Sequence, residues 1–336
     1  MGYLEDRAER TAEQAFKMAD RSEKQLKALF KNSGTRMRKE VDAFYARYGI
    51  IAESPVFETL PDGTEVVKEY RRKLVVPANV AEYKLAVGTR LTKLEGQLTN
   101  IVKDLSKETI DHTTNTLSDV AKWTFYESMY TTASHIGIGT SFDLLTKPQV
   151  TALIKNPLHG ADFVKRTNIN NEKLARNVNQ TLRAGITQGL SNKDMTKNLA
   201  GHMDMGYRDA KRIIQTETTN SMNQAAIESY KASGVVDEYV YIATLDDRTT
   251  DKCTRLDGQT FLLDDAVSGV NLPPTHVGCR STTGAYFEET ANLFTRMARD
   301  LDGKNFTVPS KMNGQSFKDI YVNKSVTRSA WDATNK

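Results

Sequence analysis

The sequence predicts an α+β fold, a mostly helical N-terminal half followed by a module of helices and short strands. Apolar residues recur at helical spacing along most of the chain as far as Tyr230. The period then changes at Glu238-Tyr239-Val240-Tyr241-Ile242-Ala243, a β-branched and aromatic run that reads as a strand. Both cysteines, the Pro273-Pro274 pair and a His-x-x-Cys element fall together in the loop-rich stretch Asp246–Ser281.

Taken in order, Leu4, Ala8, Ala12, Ala15, Phe16, Ala19, Leu26, Leu29 and Phe30 mark an amphipathic helix, and Asn32-Ser33-Gly34 reads as its end. A second helix follows through Val41, Phe44, Tyr45 and Tyr48. The pair fits a helical hairpin packed on its own chain, or an arm that docks on a partner. Residues 56–70 read as a β-hairpin, with Val56–Thr59 and Glu65–Tyr70 flanking the turn Pro61-Asp62-Gly63. Such a hairpin is marginal alone and needs helices to lie against. Arg71, Arg72 and Lys73 add a small basic cluster, either solvated or available to a phosphate. From about Pro77 to Ser134 two helical runs follow, one through Leu85, Leu91, Leu98 and Leu105 and one through Leu117, Val120 and Phe125. Gly137, Gly139 and Lys147-Pro148 mark loop, and Asn156-Pro157-Leu158-His159-Gly160 reads as a linker.

Past that linker, Leu174, Val178, Leu182 and Ile186 advance by four along one helix face, and Gly189 stops the helix. Ser191 is placed as the next N-cap, with Asp194 completing a variant capping box. Met195 and Leu199 line its apolar side, and a further helix from Tyr207 through Ile213, Met222 and Tyr230 ends at Ser233-Gly234. Phe261-Leu262-Leu263 and Thr283–Phe287 supply two more short strands. Three regions result: a helical N-terminal region 1–160 containing the hairpin, a module at 161–290, and a C-terminal tail 291–336. Val308-Pro309-Ser310 and Tyr321-Val322 in that tail read as docking segments.

Composition narrows the function classes. A chain of 336 residues with 39% hydrophobic and 26% charged residues can bury a sizeable core. Its net charge of +4 permits contact with nucleic acid without requiring it. No apolar run approaches the roughly 18 residues of a membrane span, and the charged N-terminus from Glu5 onward is unlike a signal peptide. Two cysteines in so long a chain argue against a disulfide scaffold and for a reducing, cytosolic setting.

Cys253, His276 and Cys279 are the candidate metal ligands, since thiolate and imidazole bind zinc tetrahedrally. The His-x-x-Cys spacing lets both side chains reach one ion from a tight turn, and Pro273-Pro274 stiffens the approach. A fourth ligand would be Asp247, Asp251 or a water. The alternative reading has His276 donating to a backbone carbonyl while the cysteines pack as small buried hydrophobes. A zinc deaminase is excluded, because neither His-x-Glu nor Cys-x-x-Cys is present. Walker A, dinucleotide and G-x-S-x-G motifs are absent too. Arg212, Glu217 and Asn220 read as polar anchors for neighbouring loops.

Read together, these motifs resemble the phage Mu F-like minor head protein family, also called phage head morphogenesis proteins. The resemblance covers about residues 161 to 290. It rests on Gln188-Gly189-Leu190-Ser191, on Gln215–Asn220 with Glu217 and Asn220, and on Asp247-Arg248-Thr249. Cys253 followed by Leu256-Asp257-Gly258, and Pro273-Pro274-x-His276-x-x-Cys279-Arg280, complete it. Two departures thin the family's metal pattern: Thr250 stands where a cysteine often precedes Cys253, and Ser281 stands where a cysteine often follows Arg280.

The resemblance implies a structural, non-enzymatic minor head protein that acts in prohead assembly and in DNA packaging or ejection. Its implied partners are the portal protein and inner capsid, with non-specific contact to double-stranded DNA, and its implied place is the virion and the host cytoplasm during assembly. The rival expectation is a metal-dependent hydrolase or toxin-like enzyme using Cys253, His276 and Cys279, because such modules are sometimes joined to toxin domains. A third expectation makes the N-terminal half a DNA-binding arm through its scattered Lys and Arg.

Overall fold

A computed structural model describes residues 3–48, 50–59, 65–75, 80–137, 144–288, 295–300, 302, 304–309 and 312–335. In chain order these form α1 (Tyr3–Tyr48), β1 (Ile50–Thr59), β2 (Glu65–Val75), α2 (Val80–Ile136), α3 (Lys147–Ile154), α4 (Phe163–Gln188) and α5 (Asn192–Ser233). There follow β3 (Glu238–Ile242), α6 (Asp251–Leu256), β4 (Thr260–Leu262), β5 (Thr282–Tyr286), β6 (Thr295–Arg299), β7 (Asn305–Pro309), α7 (Gly314–Phe317) and α8 (Arg328–Thr334). The architecture is the predicted one, long helices with a few short antiparallel strands.

Four helix boundaries differ from expectation. Asn32-Ser33-Gly34 does not end α1, because Ser33 is buried and Gly34 lies against the Met203 side chain. Tertiary burial there overrides a weak local turn preference. Likewise α2 is one helix where two runs were read, and α5 continues unbroken through Gly201 and Gly206 to Ser233. Lys147-Pro148 opens a helix instead of marking a loop. Thr146 and Gln149 form a reciprocal capping box around it, and proline is well tolerated in a first turn. The chain stops at Gly189 and Gly234 as expected, both with φ near +70°. Ser191 caps α5 through Asp194, its Oγ accepting from the Asp194 amide at 3.1 Å.

The hairpin β1–β2 is antiparallel and longer than predicted, with a register shift between Val56 and Phe57. Its turn at Pro61-Asp62-Gly63, and Gly139 and Ser310, lie outside the described residues.

The chain folds as two compact units. One comprises residues 24–111 and 165–211. Its core is Leu26, Phe30, Met37, Val41, Leu94, Leu98, Leu105, Leu174, Val178, Leu182, Met195 and Leu199. All but Met37 are positions the helical periodicity selected. Arg183 makes a two-pronged pair with the buried Glu95 carboxylate on its rim, Nη2 to Oε2 at 2.7 Å.

The other unit holds residues 1–23, 112–164 and 212–336. Its sheet has the order β4-β3-β5, antiparallel throughout, with Tyr239 opposite both Phe261 and Ala285. Tyr239, Tyr230, Ile227, Val236 and Leu272 make one apolar cluster on it. The segment read as a docking tail is folded here: Val308, Met312, Phe317, Ile320 and Trp331 pack with Leu245. Backbone amides tether it. The Arg299 amide donates to the Leu245 carbonyl at 3.0 Å, and the Gly314 amide donates to Asp257 Oδ2 at 2.6 Å. Gly314 is required by space, since a Cβ there would come within 3.2 Å of the Thr254 backbone.

Asp257 joins the two halves of this unit's sheet region, because its Oδ1 also accepts from the Ala243 amide at 2.7 Å. Asp257→Ala leaves those two buried amides without their acceptor. It should cost on the order of 3 kcal/mol by urea denaturation and make residues 312–335 cleavable by protease before the rest of the chain.

Candidate metal and loop-anchoring site

The site is built on a helix face that is polar and yet fully inside. Thr216, Glu217, Thr218, Thr219, Asn220, Ser221 and Asn223 of α5 are all buried. Such burial costs several kcal/mol per group unless hydrogen bonds replace water. The positions 216, 219, 220 and 223 share one helix face, and each reaches loop backbone. Thr216 Oγ1 accepts from the Gly278 amide at 3.1 Å, and Thr219 Oγ1 donates to the Cys279 carbonyl at 2.6 Å. Asn223 Nδ2 donates to the Ser281 carbonyl at 3.3 Å. Asn220 Nδ2 donates to the Asn156 carbonyl at 3.0 Å and to Glu217 Oε2 at 3.1 Å, while its Oδ1 accepts from Ser268 Oγ at 3.0 Å. Asn220 thus ties α5 to two loops, and Glu217 accepts from Asn220. Asn156–Gly160, read as a linker, is a turn closed by the Leu158–Ala161 bridge.

Held in this way, the loop brings three side chains together. Cys253 sits on α6, whose N-cap Thr250 also points its hydroxyl at the Cys253 amide. His276 and Cys279 follow Pro273-Pro274, which is joined by a cis peptide bond, and Gly278 between them has φ +73°. Cys253 Sγ lies 3.2 Å from His276 Nε2 and 3.7 Å from Cys279 Sγ. The three ligand atoms all fall within 4.8 Å of one another. A tetrahedral ion with metal–sulfur bonds of about 2.3 Å separates two sulfurs by about 3.8 Å, so the spacing fits. His276 Nδ1 lies 3.0 Å from the Val277 carbonyl, which favours the tautomer that leaves Nε2 free as a ligand. His276 thus sets one nitrogen on a carbonyl and turns the other toward the Cys253 sulfur.

The sulfurs are not equivalent. Hydrogen bonding with Cys279, then with Thr250, Thr275 and Tyr241, outweighs burial and pulls the Cys253 thiol below its ordinary range. Cys279 is pushed up by that same partnership and by burial, and keeps the proton. Tyr241, whose hydroxyl is 3.3 Å from Cys253 Sγ, is pushed up by burial and by the two sulfurs.

Neither aspartate expected as a fourth ligand joins the cluster. Asp251 faces solvent and pairs with Lys318 Nζ at 2.9 Å, and Asp247 is exposed. Among the described residues the metal-type grouping has three members. A small hollow lined by Thr244, Arg248, Thr250, His276 and Arg280 opens beside it, leaving room for a water as fourth ligand. Of the other motif residues, Gly258 adopts φ +77° and its amide donates to the Tyr241 carbonyl at 2.9 Å. Pro274 carries the cis bond. Arg248 lies 3.8 Å from Asp246 and is largely exposed. The remaining histidines are in other settings: His112 binds Ser22, His202 binds Thr181, His135 stacks beside Tyr3, and His159 lies by Gly269.

Asp246 is the residue that sequence reasoning missed. Its buried carboxylate accepts from both Arg280 terminal nitrogens, at 2.5 and 2.8 Å, from Thr249 Oγ1 at 2.9 Å and from the Arg248 amide at 3.1 Å. Burial opposes the charge, but Arg280 and the other donors prevail and hold the carboxyl below its ordinary range. The pair fastens the end of the loop beside Cys279 to the end of β3. Its signal in the sequence was faint, one aspartate in an Asp-Asp pair.

A depressed carboxyl stabilises the fold above its unfolded pKa of about 3.9 and ceases to do so as pH falls through the lower folded value. Arg280→Ala leaves that carboxylate buried without its cation, and should cost about 3 kcal/mol at neutral pH. The same variant should lose the Asp246 share of acid destabilisation, since the carboxyl then protonates readily. Urea midpoints measured from pH 7 downward test both statements.

An NAD(+)--arginine ADP-ribosyltransferase EFV of Enterococcus faecalis is 25% identical over 196 residues, 54% of this chain. The chain spans 40% of that relative's length. No solved structure matches significantly. Residues 176–284, from within α4 to within β5, match the family model described as Phage Mu protein F like protein. The resemblance expected of the second half is thus supported at residues 176–284.

Proposed function

We propose that this chain is a minor head protein of a phage, acting in head morphogenesis with the portal protein and the inner capsid as its partners. The observation that carries this is the match of residues 176–284 to the Phage Mu protein F like family. The site's construction is consistent with it: the two cysteines are buried, and the loop that carries Cys279 is fastened to α5 through its backbone carbonyl. We take 161–290 as the family module, with 1–160 and 291–336 as the flanking regions that give it partner specificity. Contact with DNA acts through phosphate neutralisation and is independent of sequence.

The ion proposed for Cys253, His276 and Cys279 is zinc, with a water as fourth ligand. It supplies a clamp between α6 and the Pro274–Cys279 turn. One zinc per chain should be found by elemental analysis of the protein as purified, and Cys279→Ala should abolish it while lowering the melting temperature. Protein free of zinc when purified without chelator contradicts the clamp.

The head-protein reading predicts capture of the cognate portal by the full chain, and DNA binding that falls steeply between low and high salt. Absence from purified proheads and virions alike would overturn it. A second reading rests on the similarity to an ADP-ribosyltransferase. That similarity leaves most of the relative outside the match, so its named activity need not lie in the shared part. Incubation with NAD and an arginine acceptor should give no transfer. Transfer that Cys279→Ala abolishes without loss of stability would establish a toxin-like enzyme instead.

A further inference from the structure

The geometry points to Cys253 and Cys279 as a reversible disulfide site, closed by a hydroperoxide. The two sulfurs are 3.7 Å apart, against about 2 Å in a disulfide bond. No other cysteine exists in the chain to compete. Both side chains are buried, yet the small hollow lined by Thr244, Thr250, Cys253 and His276 gives a molecule the size of hydrogen peroxide a path to Cys253. A bulkier disulfide oxidant would not reach them, which selects the oxidant class.

The chemistry balances with one peroxide. The Cys253 sulfur attacks the nearer peroxide oxygen, the O–O bond breaks, and a sulfenic acid forms. The departing hydroxide takes the thiol proton and leaves as water. The Cys279 thiol then attacks the Cys253 sulfur, the S–O bond breaks, and the sulfenic oxygen leaves with the second thiol proton as another water. The two cysteines lose two electrons and the peroxide gains them.

The bond closes a loop between positions 26 apart in sequence. It links α6 covalently to the Pro274–Cys279 turn, and restricting the unfolded chain in this way raises stability. The inference needs the thiol pair and not the zinc, which would shield the sulfurs while bound. Loss of the zinc reading would leave it standing.

The test uses the full-length protein, reduced, stripped with chelator and then freed of both reagents. After one equivalent of hydrogen peroxide, denaturation and alkylation, the expected product is a monomer with neither cysteine alkylated. Its peptides bearing Cys253 and Cys279 should be joined, and dithiothreitol should restore both alkylation sites. Cys253→Ser and Cys279→Ser should each abolish the link. Should either variant fail to fold, the wild-type peptide map alone decides. Recovery of both thiols in alkylated form, separate oxidation to sulfinic or sulfonic acids, or a link between two chains would overturn the proposal. A zinc-loaded sample run in parallel should resist closure. If closure is seen only in the stripped sample, the thiol pair and the metal are shown to share one site.

Discussion

The polar face of α5 is the constraint on which the rest of this module depends. A helix that buries threonine and asparagine in place of leucine incurs a desolvation cost unless hydrogen bonds replace water. Here much of the return comes from the loops. Gly278, Cys279 and Ser281 are held by Thr216, Thr219 and Asn223, and Asn156 and Ser268 are held by Asn220. The loop thereby gains a defined path without secondary structure of its own. The helix gains a reason to exist in one position, because polar pairings are directional where apolar contact is not.

From that path the chemistry follows. Fixing Gly278 and Cys279 places His276 and Cys279 over α6, and the Thr250 cap turns Cys253 toward them. The Asp246–Arg280 pair closes the loop from the other side. Asp257 then carries the same order outward, to the segment that ends in Trp331. The site is thus a junction of four chain segments: the α5 face, α6, the proline turn and the C-terminal segment.

Much of this was legible in the sequence, for identifiable reasons. Four-residue steps such as Leu174-Val178-Leu182 gave their helix directly, and the switch of period at Glu238 gave the sheet. The Cys253, His276 and Cys279 grouping was visible because cysteine and histidine are scarce and chemically singular. What stayed hidden was long-range. Ser33 and Gly34 look like a helix end until Met203 is known to lie against Gly34. Asp251 looks as good a ligand as any until Lys318, far along the chain, is seen to hold it. The buried state of Thr216, Thr219 and Asn223 could have been suspected from their spacing on one face, but a polar stripe on a helix ordinarily faces water. Only the loop returning to them makes it an interior.

Hydrogen exchange over residues 273–281 in Thr219→Val measures the dependence of the loop on α5 most directly. Valine keeps the shape of threonine and removes the donor to the Cys279 carbonyl. Loss of that buried bond should raise amide exchange in the loop by roughly tenfold or more, while exchange within α4 and β3 stays as it was. Unchanged protection across the loop would contradict the account, and would mean that the path of this segment is set by something other than the polar face of α5.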